Sequence, residues 1–257
     1  MFEASIAVAH CEDEKKIRRK RHIMSRCAGA MEQLDLGFAD TFEVGGEETG
    51  YYTMAMLDGA PVAAIGQQPQ GNGFWITYLS VADIDAALAR ATAAGAQVLM
   101  GPMAVMGAGS MALGMDPAGA VFAVWQKADF AGFGAFWRAN APCWFDHQSS
   151  DPTIASAFYT SVFGLELHPA GPTGGGMLGH GESMVASVSP SPGDFPAYWN
   201  PVFAVASVDD AERHALDLGA TVLMSRMPVP GGLASAFAAP GTGTVVTVFE
   251  APEQAFS

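Results

Sequence analysis

Gly95-Ala96-Gln97-Val98-Leu99-Met100-Gly101-Pro102-Met103-Ala104-Val105 returns later in the chain as Gly219-Ala220-Thr221-Val222-Leu223-Met224-Ser225-Arg226-Met227-Pro228-Val229. Seven of the eleven positions are identical, at a constant offset of 124 residues. The same offset carries Trp75 onto Trp199, Val81 onto Val205 and Gly107 onto Gly231. Solenoid units repeat every ~20–50 residues, so a period this long reads as a duplicated domain.

Working outward from the repeat, each copy is preceded by a helix signal. Asp83 can cap a helix with Ile84, Ala87, Ala91 and Ala94 on one face, and Gly95 stops it. In the second copy Val208, Ala211, Ala215 and Leu218 share a face before Gly219. Trp75 to Val81 and Trp199 to Val205 are the strands leading in. Val98 to Met100, Ser110 to Met115 and Val121 to Trp125 follow as strands, with Asp116-Pro117-Ala118-Gly119 as the turn between the last two. Their counterparts are Thr221–Met224, Ala234–Ala238 and Thr244–Phe249. Upstream, Tyr51 to Leu57 and Pro61 to Gly66 flank Asp58-Gly59, a hairpin signal. Pro142 to Gln148 reads as a strand. Asp151-Pro152 then opens a helix over Thr153 to Phe163 that ends at Gly164. Strands follow near Leu165–Pro169, Gly176–His180 and Ser183–Ser189. The methionines Met100, Met103, Met224 and Met227 are expected mainly in core.

The chain has 257 residues, half of them apolar, which suits two domains of about 125 residues. A net charge of −14 argues against nucleic acid or an anionic membrane as partner. Three widely spaced cysteines, Cys11, Cys27 and Cys143, form no metal-binding pattern and suit a reducing compartment. The first ten residues lack the basic start and apolar run of a signal peptide, and no run approaches the ~18 apolar residues of a membrane span. The expected location is cytoplasmic. Residues 1–10 fit a strand. Residues 12–26 then hold seven of the twelve basic residues, with helical spacing over roughly 13–35, and read as a solvated helix face. Residues 127–141 form a linker crowded with Phe130, Phe133, Phe136 and Trp137. These rings pack between the domains or offer a partner-binding segment.

Strand, helix and three strands, in this order and in tandem, resemble the glyoxalase/bleomycin-resistance/dioxygenase (vicinal oxygen chelate) superfamily. The resemblance is carried by three stretches. Asp151-Pro152 leads to Phe158-Tyr159 and Phe163-Gly164. Phe203-Ala204-Val205-Ala206-Ser207-Val208-Asp209 leads to Gly219-Ala220. Asp116-Pro117-Ala118-Gly119-Ala120-Val121-Phe122 stands in the first copy. It covers about 42–126 and 142–250 and is similar in particular to two-domain actinobacterial members often labelled hydroxylases. It implies an α+β fold of tandem glyoxalase-like domains, each of paired βαβββ modules forming a cupped sheet. The expected domains are 1–126, with an atypical front segment of about 11–39, and 142–257, joined by the linker. The abrupt lysine usage of that front segment is what a replaced segment or a shifted reading frame would leave.

Metal-dependent members of the family hold an ion with four His or Glu side chains, one from the first and one from the last strand of each module. The resemblance carries those positions onto Trp144, about Ala186, Asn200 and Thr247 in the second domain, and onto about Ala64, Ile76 and Ala123 in the first. Trp, Ala and Ile offer no donor, and a lone Asn or Thr binds a transition metal poorly. The expected metal set is therefore none, and no cofactor is expected. Strand alternation puts Trp144, Asp146 and Gln148 on one face. A carboxylate in an apolar cup has a raised pKa and can serve as general acid or base, which makes Asp146 the candidate catalytic residue. Trp144, Gln148, Asn200 and Thr247 are the candidate ligand-binding residues. His147 points to the other face and reads as a satisfied or partly exposed histidine.

The functional expectation is a metal-independent protein that binds a small apolar or aromatic metabolite, as a monomer of tandem domains or a homodimer. A metal-free isomerase or lyase and a drug- or metabolite-sequestering protein both fit it, so whether the chain is an enzyme stays open. The alternatives are a metal-dependent glyoxalase or dioxygenase and a non-catalytic interaction protein using the aromatic linker.

Overall fold

A computed structural model describes residues 4–11, 40–44, 52–67, 73–172, 174–191 and 195–251. The first half runs β1 (Ala4–Cys11), β2 (Asp40–Val44), β3 (Tyr52–Leu57), β4 (Ala60–Gln67), β5 (Phe74–Ser80), α1 (Ile84–Ala93), β6 (Gln97–Val105), β7 (Gly109–Met115) and β8 (Val121–Lys127). The second runs β9 (Pro142–Ser149), α2 (Pro152–Phe163), β10 (Glu166–Pro169), β11 (Gly176–His180), β12 (Ser183–Pro190), β13 (Tyr198–Ala204), α3 (Val208–Asp217), β14 (Thr221–Val229), β15 (Gly232–Ala238) and β16 (Val245–Glu250). The strand orders are β2-β3-β4-β1-β5-β8-β7-β6 and β10-β11-β12-β9-β13-β16-β15-β14. Each strand of the first sheet has its counterpart at the same place in the second, and the fold is an α+β arrangement of four modules, three of them βαβββ and the first with its four strands among the described residues. The expected helix over 13–35 lies outside the described residues.

One rule organises all four modules. The first strand pairs parallel with the last: β1 with β4, β5 with β8, β9 with β12 and β13 with β16. A parallel pair needs a crossover rather than a tight hairpin. In the described modules α1, α2 and α3 supply it. Their ends are local chemistry. The Asp83 carboxylate accepts from Ala86 N–H at 2.9 Å, Asp151 from Ile154 N–H at 3.1 Å, and the Ser207 hydroxyl from Asp210 N–H at 3.2 Å. Pro152 occupies the first turn of α2, and Gly164 ends it at φ 69°. The β3–β4 turn has Asp58 at φ 50° and Gly59 at φ 77°, the paired positive values of a type I′ hairpin.

Two sequence expectations are corrected. Leu218 does not complete the buried stripe of α3; it caps the helix and is 41% exposed. Met103 and Met227 are 47% and 49% exposed rather than core. They sit on β6 and β14, which end their sheets. Pro102 and Pro228 and breaks of register at Met100/Met103 and Met224/Met227 interrupt these edges, as suits strands that must not recruit another chain.

The compact units do not follow the two halves of the sequence. Of the described residues, one comprises those of Ile76–Gly132 and Trp144–Asn200, and the other those of Ala7–Trp75, Phe133–Cys143 and 201–251. Unit one packs α1 and α2 together, and Arg90 Nε donates to the Val162 carbonyl at 2.9 Å. Its core holds Phe122, Val124, Phe145, Tyr159 and Leu178. In unit two, Trp75 lies against Phe203 with ring centroids 5.6 Å apart and donates to the Val245 carbonyl at 2.7 Å. The linker aromatics divide likewise. Phe130 packs on Trp125 in unit one, whereas Phe133 stacks on Phe136 and Trp137 meets Phe249 in unit two. Among the described residues no helix is long and apolar enough to cross a membrane.

Candidate functional site

β9 carries two different chemistries on its two faces. Cys143, Phe145, His147 and Ser149 are buried, while Trp144, Asp146 and Gln148 are half-buried. Parallel pairing with β12 sets Asp146 beside Ser187, His147 beside Val188 and Gln148 beside Ser189. The half-buried face therefore gathers Trp144, Asp146 and Gln148 with Ser187 and Ser189, all within unit one.

The Asp146 carboxylate is held on this face by neutral donors. Oδ1 accepts from Ser187 Oγ at 2.7 Å and from Ser189 Oγ at 2.9 Å, and Oδ2 accepts from the Gln148 amide. Trp144 Nε1 donates to Ser187 Oγ at 2.8 Å, so indole, hydroxyl and carboxylate form one chain. Burial pushes the Asp146 pKa up, and this outweighs the lowering by its three donors and by nearby His147. Tyr198 of β13 lies close by; its phenol is raised by burial and then by the Asp146 charge.

A group whose folded pKa is raised favours the fold when protonated. Stability falls as pH rises from the ordinary carboxylate value of 3.8 into the raised range, and ionised Asp146 is a net cost above it. Asp146→Asn is expected to melt higher than wild type at pH 7, with the two curves converging below pH 3.8. Differential scanning calorimetry across pH checks this; a lower melting temperature for the variant at pH 7 would refute it.

The opposite face holds a closed polar network. His147 Nε2 lies 2.7 Å from Asp116 Oδ2, and both side chains are fully buried. The Tyr159 hydroxyl donates to the same oxygen at 2.8 Å and accepts from Trp199 Nε1 at 2.8 Å. Asp116 Oδ1 accepts from the amides of Ala118 and Ala120 at 2.9 and 3.0 Å. Burial raises the Asp116 carboxyl, but His147, Tyr159 and Ala120 together hold it below its ordinary value. His147 is thus fully buried and bonded through Nε2, while its Nδ1 has no hydrogen-bond partner; the ring stands edge-on to Tyr159 and Trp199 at 5.3 and 5.1 Å. The four side chains of this network are buried, which suits a structural role.

Of the residues singled out in sequence, Trp144, Asp146 and Gln148 come together. Asn200 lies on β13 in the same unit and is 7% exposed. Thr247 belongs to unit two, where it is the register partner of Val202 and Ala236. Ala186 is corrected: it pairs with Phe145 on the buried face and is 2% exposed, so the half-buried position beside it is Ser187. Ser187, Ser189 and Tyr198 were missed. The alternation Val185, Ser187, Ser189 was visible, but its register against Asp146 was not. In the first half Ile76 and Ala123 are buried at 2% and 0% exposure. Among the described residues no group of three His, Cys, Asp or Glu side chains is placed to hold a metal ion.

The model of the Glyoxalase/Bleomycin resistance protein/Dioxygenase superfamily matches residues 7–124. The chain is 30% identical over 217 residues to "Putative glyoxylase CFP32" of Mycobacterium tuberculosis (strain CDC 1551 / Oshkosh), covering 80% of this chain and 82% of that one. It is 32% identical over 203 residues to the anthracycline biosynthesis protein DnrV of Streptomyces peucetius, covering 71% and 74%. Among solved structures it is similar to the Mn(II)-bound glyoxalase from Novosphingobium aromaticivorans, with TM-score 0.62, 19% identity and coverage of 96% and 81%. It is also similar to the homoprotocatechuate 2,3-dioxygenase from Arthrobacter globiformis, with TM-score 0.63, 11% identity and coverage of 96% and 79%. At those identities the solved structures speak to fold alone. Family match, relatives and fold agree: the chain belongs to the glyoxalase/bleomycin resistance/dioxygenase superfamily.

Proposed function

We propose that this protein binds a small, largely apolar or aromatic metabolite without a metal ion, at the half-buried face of β9. The observation that carries the reading is Asp146: a carboxylate fixed by three neutral donors beside the Trp144 indole and Tyr198. Apolar and aromatic side chains with a few precisely placed polar groups are what line a small-molecule site. Its raised pKa lets Asp146 carry a proton nearer neutrality than an ordinary carboxyl, so it can act as general acid or base if the ligand is turned over. The relatives' printed names, a glyoxylase and an anthracycline biosynthesis protein, suit a small-molecule role and an aromatic ligand respectively.

The donor set argues against the metal-dependent alternative. The resemblance puts Trp144, about Ala186, Asn200 and Thr247 where the superfamily's ligands are expected, and neither these nor Ser187 beside Ala186 is an imidazole or carboxylate. A divalent ion needs several such groups converging with open positions left for substrate. Asp146 is the one carboxylate in the cluster, and its oxygens are already engaged by hydroxyl and amide donors. We further place the protein in the cytoplasm, with domains 1–126 and 142–257 joined by 127–141. The buried Cys143 is a free thiol whose pKa burial pushes up to about 12, which suits a reducing compartment.

The test is calorimetric titration with 1-naphthalenemethanol, before and after dialysis against a chelator, with metal content measured in parallel. Affinity is expected to survive chelation, and Trp144→Ala to weaken it about 10- to 30-fold. Binding that disappears with the chelator and returns with manganese, iron, zinc or nickel would replace this reading with the metal-dependent one.

A further inference from the structure

Among the described residues, Asp146 has no cationic hydrogen-bond partner. Its three protein hydrogen bonds all come from neutral groups. His147, its neighbour on β9, points to the opposite face and is bonded to Asp116. The described arginines are used elsewhere: Arg90 on the Val162 carbonyl, Arg138 on Asp58, Arg213 on Asp210 and Arg226 on Asp209. A charge taken partly out of water without a counter-charge is costly, and a cation on the open side offsets that cost.

The acceptor count leaves room for one. A carboxylate offers about four lone-pair sites. Ser187 and Ser189 fill both on Oδ1, while Gln148 fills one of the two on Oδ2. Asp146 itself lies on the half-buried face of β9, where the Trp144 indole joins its hydrogen-bond chain through Ser187 and where the Tyr198 phenol feels its charge. An ammonium is attracted by a carboxylate and by the faces of aromatic rings. A neutral hydroxyl could fill the same lone pair but would leave the charge uncompensated. The chain's net charge of −14 favours a cationic ligand in the same direction.

We infer that the ligand's polar end is a protonated amine, which Asp146 Oδ2 accepts while Trp144 and Tyr198 flank the attached apolar body. This rests on the small-molecule reading above and narrows it to amines. The cation is a ligand group and not a metal, because a single remaining lone pair matches one N–H and falls short of a coordination shell.

The test uses two probes of equal size and shape, 1-naphthylmethylamine and 1-naphthalenemethanol, titrated calorimetrically into the full-length protein and into Asp146→Asn at pH 7. The amine is expected to bind wild type about tenfold tighter than the alcohol. That advantage is expected to shrink to about twofold or less in Asp146→Asn. An amine no tighter than the alcohol in wild type overturns the inference, as does an advantage that survives in the variant. In both of those cases the alcohol still binds, so the broader reading stands. Binding of neither probe overturns both. The thermal unfolding curve of Asp146→Asn, taken in the same buffer, separates loss of the charge from loss of the fold.

Discussion

Asp116→Ala is expected to lower folding stability by about 3–5 kcal/mol at pH 7, because it takes a buried carboxylate away from the donors that converge on it. Asp116 has no slack: one oxygen takes the Ala118 and Ala120 amides, and the other takes His147 and Tyr159. Alanine leaves the buried donors of His147, Tyr159 and Ala120 unpaired, with the part-buried Ala118 amide beside them, and each orphaned buried donor carries a desolvation penalty of about 1–3 kcal/mol. His147 is the most exposed to this loss, because its Nδ1 is already without a partner. The pH dependence has a definite sign. Asp116 has a lowered pKa, so its contribution is fully present above the ordinary value of 3.8 and is lost as pH falls through the lower folded value. The difference between wild type and Asp116→Ala should therefore narrow in acid. Urea unfolding followed by near-ultraviolet circular dichroism measures both quantities, with Trp199 inside the network as a reporter. His147→Leu in the same background should cost less than it does in wild type, since the orphaned imidazole is then gone. A loss below about 1 kcal/mol for Asp116→Ala would mean that water or a shifted side chain replaces the carboxylate.

How far the sequence could be read follows from how local each determinant is. Helix starts at Asp83 and Asp151-Pro152, the stop at Gly164 and the Asp58-Gly59 turn were legible because the atoms that decide them are three or four residues apart. The fold was legible because the 124-residue repeat and the module order repeat those local signals. Asp116 shows where this ends. Its sequence context, Asp116-Pro117-Ala118-Gly119, explains one carboxylate oxygen as a turn former and gives no hint of the other. The partners of that second oxygen are 31 and 43 residues away. The same holds at the candidate site. Trp144, Asp146 and Gln148 share a face by period-two alternation alone, which needs no knowledge of neighbours. Ser187 and Ser189 depend on the β9–β12 register, and a slip of one residue put Ala186 on that face instead. Met103 and Met227 were expected in core because hydropathy does not say which strand ends a sheet.

Phe122→Ala is the second large effect, expected to cost about 3–5 kcal/mol as a fully buried aromatic truncation. Phe122 comes from β8, in the first copy of the repeat, and its ring has no exposed surface. It meets Phe158, Tyr159 and Phe163 of α2, in the second copy, at centroid distances of 5.5, 6.3 and 5.9 Å. Gly114, its register partner on β7, leaves the space: a Cβ there would come within 2.7 Å of the ring. The collapse that could fill the cavity is blocked on one side by backbone and on the other by a helix already packed on α1, so little relaxation is available. Tyr159 stands in both the ring cluster and the Asp116 network, and the two substitutions should therefore be non-additive. Their effects on the open face should differ. Phe122 touches nothing there, so naphthalene affinity of folded Phe122→Ala protein should stay within about threefold of wild type. His147 is one peptide from Asp146, so a disturbed Asp116 network reaches the carboxylate through β9 itself. Asp116→Ala should weaken binding even under conditions where it remains folded. Calorimetric titration of both variants well below their melting temperatures compares the two. If Phe122→Ala lost affinity while Asp116→Ala kept it, the site would be held by the ring cluster rather than by the register and backing of β9.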